Sequence, residues 1–353
     1  MYTQSFHEGN DISKLSFLIT GGAGYIGSHT VVELLKNPEY DVIIIDNFSN
    51  SNPEIINRLY DLVKRPIKIY HRDCRDQMDD ILSEHKVDSI IHFAAYKAVG
   101  ESVENPIQYY DNNINSLLNM LDTAKHFGIK NFVFSSSCAL YGNLKELPAT
   151  EESPLSEPES PYGYTKLMGE RILQDFSKAN PDIKIIALRY FNPVGAHESG
   201  LIGESPLNKP NNILPIICNS ADTGEEMMVF GGDYDTRDGS CIRDYVHVSD
   251  IANAHVLSVD HLFSDKSKSY DVYNLGLGIG NRFEKQGLTV LEVIKSFEKV
   301  NGVKVNYKIS ERREGDIVEI YSNSTKAREI GWSPKRTVED MVSSAWRWYK
   351  NKI

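Results

Sequence analysis

The chain has 353 residues, is 41% apolar and 25% charged, and carries a formal net charge of −11. This length exceeds the ~100–200 residues of a typical single domain, so it predicts two domains or one large domain with a smaller lobe. The composition excludes a disordered or fibrous chain. The acidic balance argues against nucleic acid as a partner, because phosphate binding needs a basic face, but it is compatible with one phosphorylated small molecule held by a few arginines.

The same sequence argues against a membrane or secreted protein. No apolar stretch approaches the ~20 residues of a membrane span, and residues 1–14 are too polar for a signal-peptide core. The cysteines, Cys74, Cys138, Cys218 and Cys241, are scattered without CxxC pairs, which predicts reduced thiols and neither a zinc site nor a disulfide framework. We therefore expect a cytoplasmic protein without a metal.

Short apolar runs alternate with helix-like segments in the first half of the chain. Leu15–Thr20, the helix-like Tyr25–Lys36 and Val42–Ile45 form a βαβ unit. Further strand-like runs follow, at Ile67–Tyr70, Ser89–Phe93, Asn131–Ser135 and Ile183–Leu188. This alternation predicts an α/β fold with a doubly wound, Rossmann-like parallel sheet that helices cover on both faces.

The loop after the first strand suits a dinucleotide. Gly21, Gly24 and Gly27 stand between a strand and a helix, where backbone amides can approach a pyrophosphate at the helix N-terminus. Asp46 closes the next strand, where a carboxylate accepts hydrogen bonds from ribose hydroxyls and repels a 2′-phosphate. The sequence therefore predicts NAD in preference to NADP. Asp73, after the third strand, is either an adenine contact or a solvated loop acid.

Beyond Arg189 the chain changes to loops rich in Gly, Pro and Asn with short helices. We predict an N-terminal extension over residues 1–14, an NAD-binding domain over 15–190 and a smaller C-terminal substrate-binding lobe over 191–353. The pattern leaves open a return of the chain to the sheet around residues 242–280.

A serine, a tyrosine and a lysine form the predicted catalytic group. Tyr162 and Lys166 open a helix four residues apart and so share one face. Lys166 and a positive nicotinamide ring would both favour the phenolate of Tyr162, which would then be a proton acceptor. Ser137 ends a strand at the carboxyl edge of the sheet, where doubly wound folds bind ligands. We expect its hydroxyl to bind the reacting group.

Several segments together carry a resemblance to a known family, namely TGGAGYIGSHT, IIIDNFSNS, HFAAYKAVGES, FSSSCALYG, SPYGYTK, LRYFNPVGAH and RDYVHVSDIA. Over about residues 15–348 the chain resembles the UDP-glucose 4-epimerases, of the extended short-chain dehydrogenase/reductase type. This resemblance implies reversible epimerisation at C4 of UDP-glucose and UDP-galactose through a transient 4-keto sugar and tightly bound NAD. It also implies a homodimer, through the segments Tyr109–His126 and Lys166–Lys178, which could instead be buried within one chain.

The resemblance also implies site residues, and it assigns catalysis to Ser137, Tyr162 and Lys166. The implied cofactor contacts are Gly21, Gly24, Tyr25, Ile26, Gly27, Asp46, Asn47, Asn50, Asp73, Cys74, Phe93, Ala94, Lys97, Asn112, Tyr162, Lys166 and Tyr190. The implied substrate contacts are Ser137, Tyr162, Asn192, Asn212, Ile213, Phe230, Arg243, Tyr245, Arg313, Asp316 and Ile320. Independently of the resemblance, a UDP pyrophosphate in an acidic protein needs compensating charge, which Arg243 and Arg313 can supply.

Three positions depart from the family pattern. Cys138 and Ala139 follow the catalytic serine where relatives often have Ala-Thr. Gly278–Gly287 resembles a loop insertion relative to shorter members. Ile320 stands where relatives restricted to glucose carry tyrosine and relatives that accept N-acetyl sugars carry cysteine. Additional activity on UDP-N-acetylhexosamines is therefore an open hypothesis.

Other functions on the same scaffold were weighed against epimerisation. A 4,6-dehydratase needs an extra acid and base, which the related dehydratases place directly after the serine and which Cys138 and Ala139 cannot provide. A decarboxylase is a related alternative. A 4-epimerase for UDP-glucuronate would differ only in one pocket wall. A non-catalytic NAD-binding protein is disfavoured because Tyr162 and Lys166 are both present.

Overall fold

The computed structural model describes residues 14–155, 157–207, 210, 212–278, 287–313 and 316–352. The expected N-terminal extension, apart from Lys14, and residues 279–286 of the expected insertion lie outside the described residues. The strands are β1 Leu15–Thr20, β2 Tyr40–Asp46, β3 Lys68–His71, β4 Ser89–His92, β5 Asn131–Ser137, β6 Lys184–Tyr190, β7 Asn192–Val194, β8 Met227–Phe230, β9 Ile242–Arg243, β10 Tyr245–His247, β11 Tyr270–Leu275, β12 Leu288–Thr289, β13 Tyr307–Ser310 and β14 Glu319–Ile320.

The helices lie between these strands and after the last of them. They are α1 Tyr25–Leu35, α2 Ile55–Val63, α3 Asp79–Glu84, α4 Val99–Glu104, α5 Pro106–His126, α6 Pro161–Ala179, α7 Ile213–Thr223, α8 Val248–Leu262, α9 Val290–Asn301 and α10 Val338–Asn351. Two short 3₁₀ helices span Cys138–Tyr141 and Lys326–Ile330. Within the described residues, no helix combines the length and apolarity needed to cross a membrane.

One seven-stranded parallel sheet dominates the molecule, with the strand order β11-β6-β5-β4-β1-β2-β3. The side chains of successive β1 residues are buried on opposite faces of the sheet. Phe17 and Ile19 pack against one layer of helices, and Leu18 packs against the other. Helices α1 and α8 contribute to the first layer and α5 and α6 to the second. This architecture confirms the predicted doubly wound parallel sheet.

The edge strand of this sheet comes from the second half of the chain. β11 pairs with β6 in parallel, from Tyr270 opposite Ile185 to Leu275 opposite Tyr190. It lies inside the range 242–280 in which a return to the sheet was left open. The remaining strands form three small sheets, and α7, α9 and α10 bury a separate apolar cluster around Ile217, Phe297 and Met341.

Candidate active site

The glycine loop after β1 packs so closely on its neighbours that side chains are excluded. A Cβ atom on Gly21 would lie 2.9 Å from the main-chain nitrogen of Ala94, and one on Gly27 would lie 2.3 Å from the carbonyl oxygen of Gly21. Gly21 also has a φ of 69°, in the left-handed region that glycine favours. No described side chain caps α1 at Gly24, so its first-turn amides can bind an anion.

This loop borders a cavity of about 230 Å³ at the carboxyl ends of β1 and β4, where the strand order of the sheet reverses. Ligands of doubly wound folds bind at this position. All of the predicted cofactor residues except Tyr162 and Tyr190 line the cavity: Gly21, Gly24, Tyr25, Ile26, Gly27, Asp46, Asn47, Asn50, Asp73, Cys74, Phe93, Ala94, Lys97, Asn112 and Lys166.

Two of the carboxylates that line the cavity are Asp46 and Asp73. Asp46 accepts hydrogen bonds from the main-chain nitrogen of Ala23 at 3.0 Å and from the hydroxyl of Ser51 at 2.9 Å, so it ties the glycine loop to the end of β2. Asp73 accepts from Arg75 at 3.0 Å and from the Asn47 amide at 2.9 Å. The Arg75 guanidinium lowers the pKa of Asp73 to about 2 and keeps it ionised. Asp73 is thus a paired, ionised acid that lines the cavity, and its contact with an adenine stays a prediction.

Two other predicted cofactor residues, Cys74 and Tyr190, are buried. Burial raises the pKa of the Cys74 thiol well above its ordinary value, so this thiol is unreactive at neutral pH. Tyr190 is buried at the end of β6, and its hydroxyl lies 2.6 Å from Nε2 of His255 on α8. Tyr190 does not line the cavity; burial raises the pKa of its phenol, and the nearby Ser135, which does line the cavity, opposes this rise.

The helix that carries Tyr162 and Lys166 has a well-defined start. Ser160 caps α6 by accepting a hydrogen bond from the main-chain nitrogen of Gly163 at 3.2 Å, and Pro161 is the first helical residue. The first turns of α6 therefore lie against the carboxyl end of β5, where Ser137 ends the strand. The Ser137 side chain is close enough to the phenol of Tyr162 to act on its pKa.

Lys166 is buried beneath this pair. Its Nζ donates to the carbonyl oxygen of Ser135 at 2.6 Å and lies 5.9 Å from the centre of the Tyr162 ring. Burial lowers the pKa of Lys166 to about 8, and Glu170, one helical turn further along, opposes this shift. Desolvation of the phenol raises the pKa of Tyr162 to about 12, and the nearby Ser137 side chain opposes this rise. The geometry brings the three predicted catalytic residues together, while desolvation opposes the expected phenolate.

A buried ion pair that sequence analysis did not predict supports this arrangement. Arg189 on β6 donates to both carboxylate oxygens of Glu170, at 2.9 and 2.7 Å, and their side chains are 3% and 1% exposed. Ser136 donates to the same carboxylate at 2.5 Å. The signal available in the sequence was a glutamate four residues after Lys166, on the same helical face.

Four of the predicted substrate residues, Phe230, Arg243, Arg313 and Asp316, form one group in the lobe. Oδ1 of Asp316 lies 2.6 Å from Nη2 of Arg313 and 3.8 Å from Nη2 of Arg243. The Arg313 guanidinium lies 5.5 Å from the centre of the Phe230 ring. Burial raises the pKa of the Cys138 thiol, and the charge of Arg243 opposes this rise. Ile320, which pairs with Arg243, belongs to the apolar cluster against which Cys138 packs, directly after Ser137.

Strand pairing positions most of the other predicted substrate residues. Asn192 pairs with Tyr245 between β7 and β10, and Ile320 pairs with Arg243 between β14 and β9. Ile320 is buried in an apolar cluster that Cys138 also contacts. Ile213 begins α7, and the amide of Asn212 just before it donates to Glu204.

Sequence analysis missed several residues that line the dinucleotide cavity, among them Arg58, Glu204 and Trp348. The Arg58 guanidinium lies 4.9 Å from the centre of a Trp348 ring, and Arg58 donates to the carbonyl oxygen of Leu201 at 3.1 Å. These residues come from α2, from the loop after β7 and from the last helix. No local pattern in the sequence indicated that the C-terminal helix α10 lines the cofactor cavity.

Known proteins share this sequence and architecture. Residues 17–276 match the NAD dependent epimerase/dehydratase family. The UDP-glucose 4-epimerase of Erwinia amylovora is 44% identical over 95% of this chain and 97% of its own length. The crystal structure of the Bifidobacterium longum UDP-glucose 4-epimerase in complex with NAD+ and UDP is similar with a TM-score of 0.89, at 47% identity over 95% of this chain and 98% of that one.

A third relative is named for two substrates. The structure of the UDP-Glc/GlcNAc 4-epimerase from Campylobacter jejuni is similar with a TM-score of 0.79, at 37% identity, over 96% of this chain and 100% of that one. These matches confirm the resemblance inferred from the motifs. The chain belongs to the NAD dependent epimerase/dehydratase family and, within it, to the UDP-glucose 4-epimerases.

Proposed function

We propose that this chain catalyses the reversible epimerisation of UDP-glucose and UDP-galactose at C4 with tightly bound NAD. The observation that carries the proposal is the meeting of Ser137, Tyr162 and Lys166 beside a dinucleotide cavity. The relatives that match almost the whole chain support the same substrate.

The cavity fits NAD by its shape and its donors. Because Gly21 and Gly27 carry no Cβ atom, a pyrophosphate can approach the uncapped N-terminus of α1. Asp46 already accepts hydrogen bonds from the protein, but its carboxylate keeps lone pairs that can accept from a ribose hydroxyl. Lys97, Asn112 and Lys166 would contact the rest of the cofactor. When bound, NAD would accept the hydride from C4 of the sugar and return it.

Tyr162 would remove the proton of the 4-hydroxyl and later return it, while Ser137 would hydrogen-bond the same oxygen. Desolvation alone disfavours the phenolate, so positive charge has to offset it. Lys166 supplies one such charge from below the ring, and its bond to Ser135 fixes the ammonium there. The positive nicotinamide ring would add to the same effect.

The nucleotide and the sugar would be held by different kinds of residue. Arg243 and Arg313 share the carboxylate of Asp316 and can turn toward a UDP pyrophosphate. The wall around Ile320 and Phe191 is apolar and offers few hydrogen bonds to a hexose. A 4-keto sugar can therefore rotate between the two hydride transfers while UDP stays bound.

We also propose some activity on UDP-N-acetylhexosamines. Ile320 is smaller than tyrosine and cannot hydrogen-bond, and it lies in the apolar cluster that contacts Cys138. The similarity to a UDP-Glc/GlcNAc 4-epimerase supports this second activity.

The proposal includes a cytoplasmic homodimer. The free cysteines suit a reducing compartment. Leu118 and Met168 are exposed apolar side chains on the segments for which the resemblance implied dimerisation, and Val99, Val103 and Ile107, on α4 and at the start of α5, are exposed as well. Analytical ultracentrifugation of an Ile107→Glu, Leu118→Glu variant tests the dimer, which this change should dissociate.

Turnover of UDP-galactose by purified protein without added NAD tests the activity. We expect conversion to UDP-glucose, and a loss of about 10²–10⁴-fold in kcat in Tyr162→Phe, which removes the acid and base. Tyr164→Phe removes a phenol two residues further along the same helix and should stay close to wild type. If folded protein with NAD supplied leaves UDP-galactose unchanged, the assignment is wrong, and UDP-glucuronate and N-acetyl sugars are tested next.

A further inference from the structure

Glu204 contacts both halves of the site, although neither the motifs nor the proposed mechanism assign it a role. Its Oε1 accepts a hydrogen bond from Nζ of Lys97 at 3.0 Å and another from the side-chain amide of Asn212 at 2.5 Å. The Glu204 side chain is 11% exposed, whereas that of Lys97 is 49% exposed. One largely buried oxygen therefore joins two residues that are far apart in the sequence.

These two residues belong to different parts of the site. Lys97 follows β4 at the carboxyl edge of the sheet and lines the dinucleotide cavity, with its ammonium 5.9 Å from the centre of the Tyr25 ring. Asn212 lies in the lobe, directly before α7. It occupies the cap position of α7 but makes no side-chain cap, and its amide donates to Glu204.

The segment that carries Glu204 is itself firmly held. The carbonyl oxygen of Glu204 accepts a hydrogen bond from Nε1 of Trp348 at 2.9 Å. Gly203 packs so closely on the same indole that a Cβ atom there would lie 2.5 Å from the ring, and Gly203 pairs with Ala196 in an antiparallel bridge. The carboxylate is therefore a fixed point against which Lys97 and Asn212 are positioned.

We propose that Glu204 is a positioning residue that couples dinucleotide binding to uridine nucleotide binding. The inference rests on the proposed function, since it takes NAD and UDP as the two ligands. An ammonium has three donors, so Lys97 can donate to Glu204 and still reach a cofactor phosphate or ribose. One oxygen restrains both Lys97 and Asn212, so a ligand that orders either residue also orders the other. Bound NAD therefore strengthens the binding of UDP, and bound UDP strengthens the binding of NAD.

The rate of NAD release from the holoenzyme, with and without saturating UDP, measures this coupling. In the wild type we expect UDP to slow the release by about fivefold or more. In Glu204→Ala the ratio of the two rates should fall close to one. Glu204→Gln keeps an acceptor oxygen without the charge and should restore part of the ratio, whereas Asn212→Ala should lower it as Glu204→Ala does.

Glu198→Gln is the matched control. It removes a carboxylate from the same loop, but from an exposed side chain, so the ratio should stay at the wild-type value. Calorimetric titration of each variant with UDP sets the concentration that saturates it. A role of Glu204 in folding alone would change the NAD release rate equally with and without UDP and leave the ratio intact.

An unchanged ratio in Glu204→Ala, or a wild-type ratio of one, overturns the coupling. The proposed function is judged separately, by turnover of UDP-galactose. A wild type that epimerises this substrate while its coupling is insensitive to Glu204 refutes only the role of Glu204. A wild type that binds neither NAD nor UDP refutes the function and the coupling together.

Discussion

The ammonium of Lys166 donates to the carbonyl oxygen of Ser135 at 2.6 Å, which fixes the charge two residues from the strand end where Ser137 lies. Helix α6 and strand β5 are thus joined by a buried charge within the proposed catalytic site. Burial lowers the pKa of Lys166 to about 8 from its ordinary value of 10.5. The buried ammonium of Lys166 therefore lowers the stability of the fold, while its charge favours the phenolate of Tyr162 in the proposed mechanism.

Replacing Lys166 should separate these two effects. Lys166→Met should lose nearly all activity, and at pH 7 its free energy of unfolding should exceed that of the wild type by on the order of 3 kcal/mol. The native pKa is depressed, so the unfolded chain binds more protons between about pH 8 and 10.5, and the wild type gains stability as pH rises through this range. Guanidinium unfolding at pH 7 and at pH 10 measures the difference, which should shrink at the higher pH. A variant that is less stable than the wild type at both pH values would refute this account.

The buried pair of Glu170 and Arg189 should matter to stability in a different way. Arg189→Met leaves the Glu170 carboxylate buried without its main partner and should cost about 3–5 kcal/mol of unfolding free energy. The double variant with Glu170→Met should recover much of this loss, because it buries no unpaired charge. Arg171→Met, which breaks an exposed pair with Asp175, is the control and should cost less than about 1 kcal/mol. Equal losses in the single and double variants would contradict the assignment.

Buried neutral histidines should make the protein sensitive to acid. Burial lowers the pKa of both His92 and His255 to about 3. Between their ordinary pKa of 6.5 and about 3 the unfolded chain binds protons that the native state does not, so stability is lost as pH falls through this range. His255→Gln should reduce proton uptake on unfolding at pH 5 by about one proton, measured from the slope of unfolding free energy against pH. The exposed His126→Gln is the control, and an unchanged slope in His255→Gln would contradict the prediction.

The wall formed by Ile320 should set the tolerance for the 2-substituent of the sugar. Ile320→Cys opens space in the apolar cluster and should raise kcat/KM for UDP-N-acetylglucosamine relative to UDP-galactose by about tenfold or more, whereas Ile320→Tyr should abolish the N-acetyl activity. Coupled assays on both substrates measure the ratio, with the exposed Ile309→Cys as control. Wild-type turnover of UDP-N-acetylglucosamine indistinguishable from zero would remove the second proposed activity.

Local patterns predicted the strands of the sheet well but not its edge strand. β1 has the predicted bounds, and β5 extends two residues beyond the prediction, to Ser137. β11 was not predicted as a strand because Asp271 and Asn274 interrupt its apolar residues and because it follows a long excursion through the lobe. Its pairing with β6 depends on contacts between distant segments, which periodicity does not reveal.

The parts of the site that sequence analysis missed are charged residues that tertiary packing buries. Glu170 and Arg189 have the composition of a surface pair, and only the docking of α6 on the end of β6 makes them partners. Glu204 lies in a polar loop without a motif, and its contacts with Lys97 and Asn212 require the lobe to fold back over the sheet. Motifs indicated the residues predicted to contact ligands, whereas the buried charged residues that pack behind them became visible only in three dimensions.

The fate of a deuterium label at C4 tests the central claim most directly. Purified protein without added cofactor would be given UDP-galactose carrying deuterium at C4, and the UDP-glucose formed would be analysed by mass spectrometry and NMR. The account predicts that the label is retained at C4 of the product, because the hydride that leaves the sugar returns to it within the closed site. Replacement of the label by hydrogen from solvent would show inversion by proton exchange and would contradict the account.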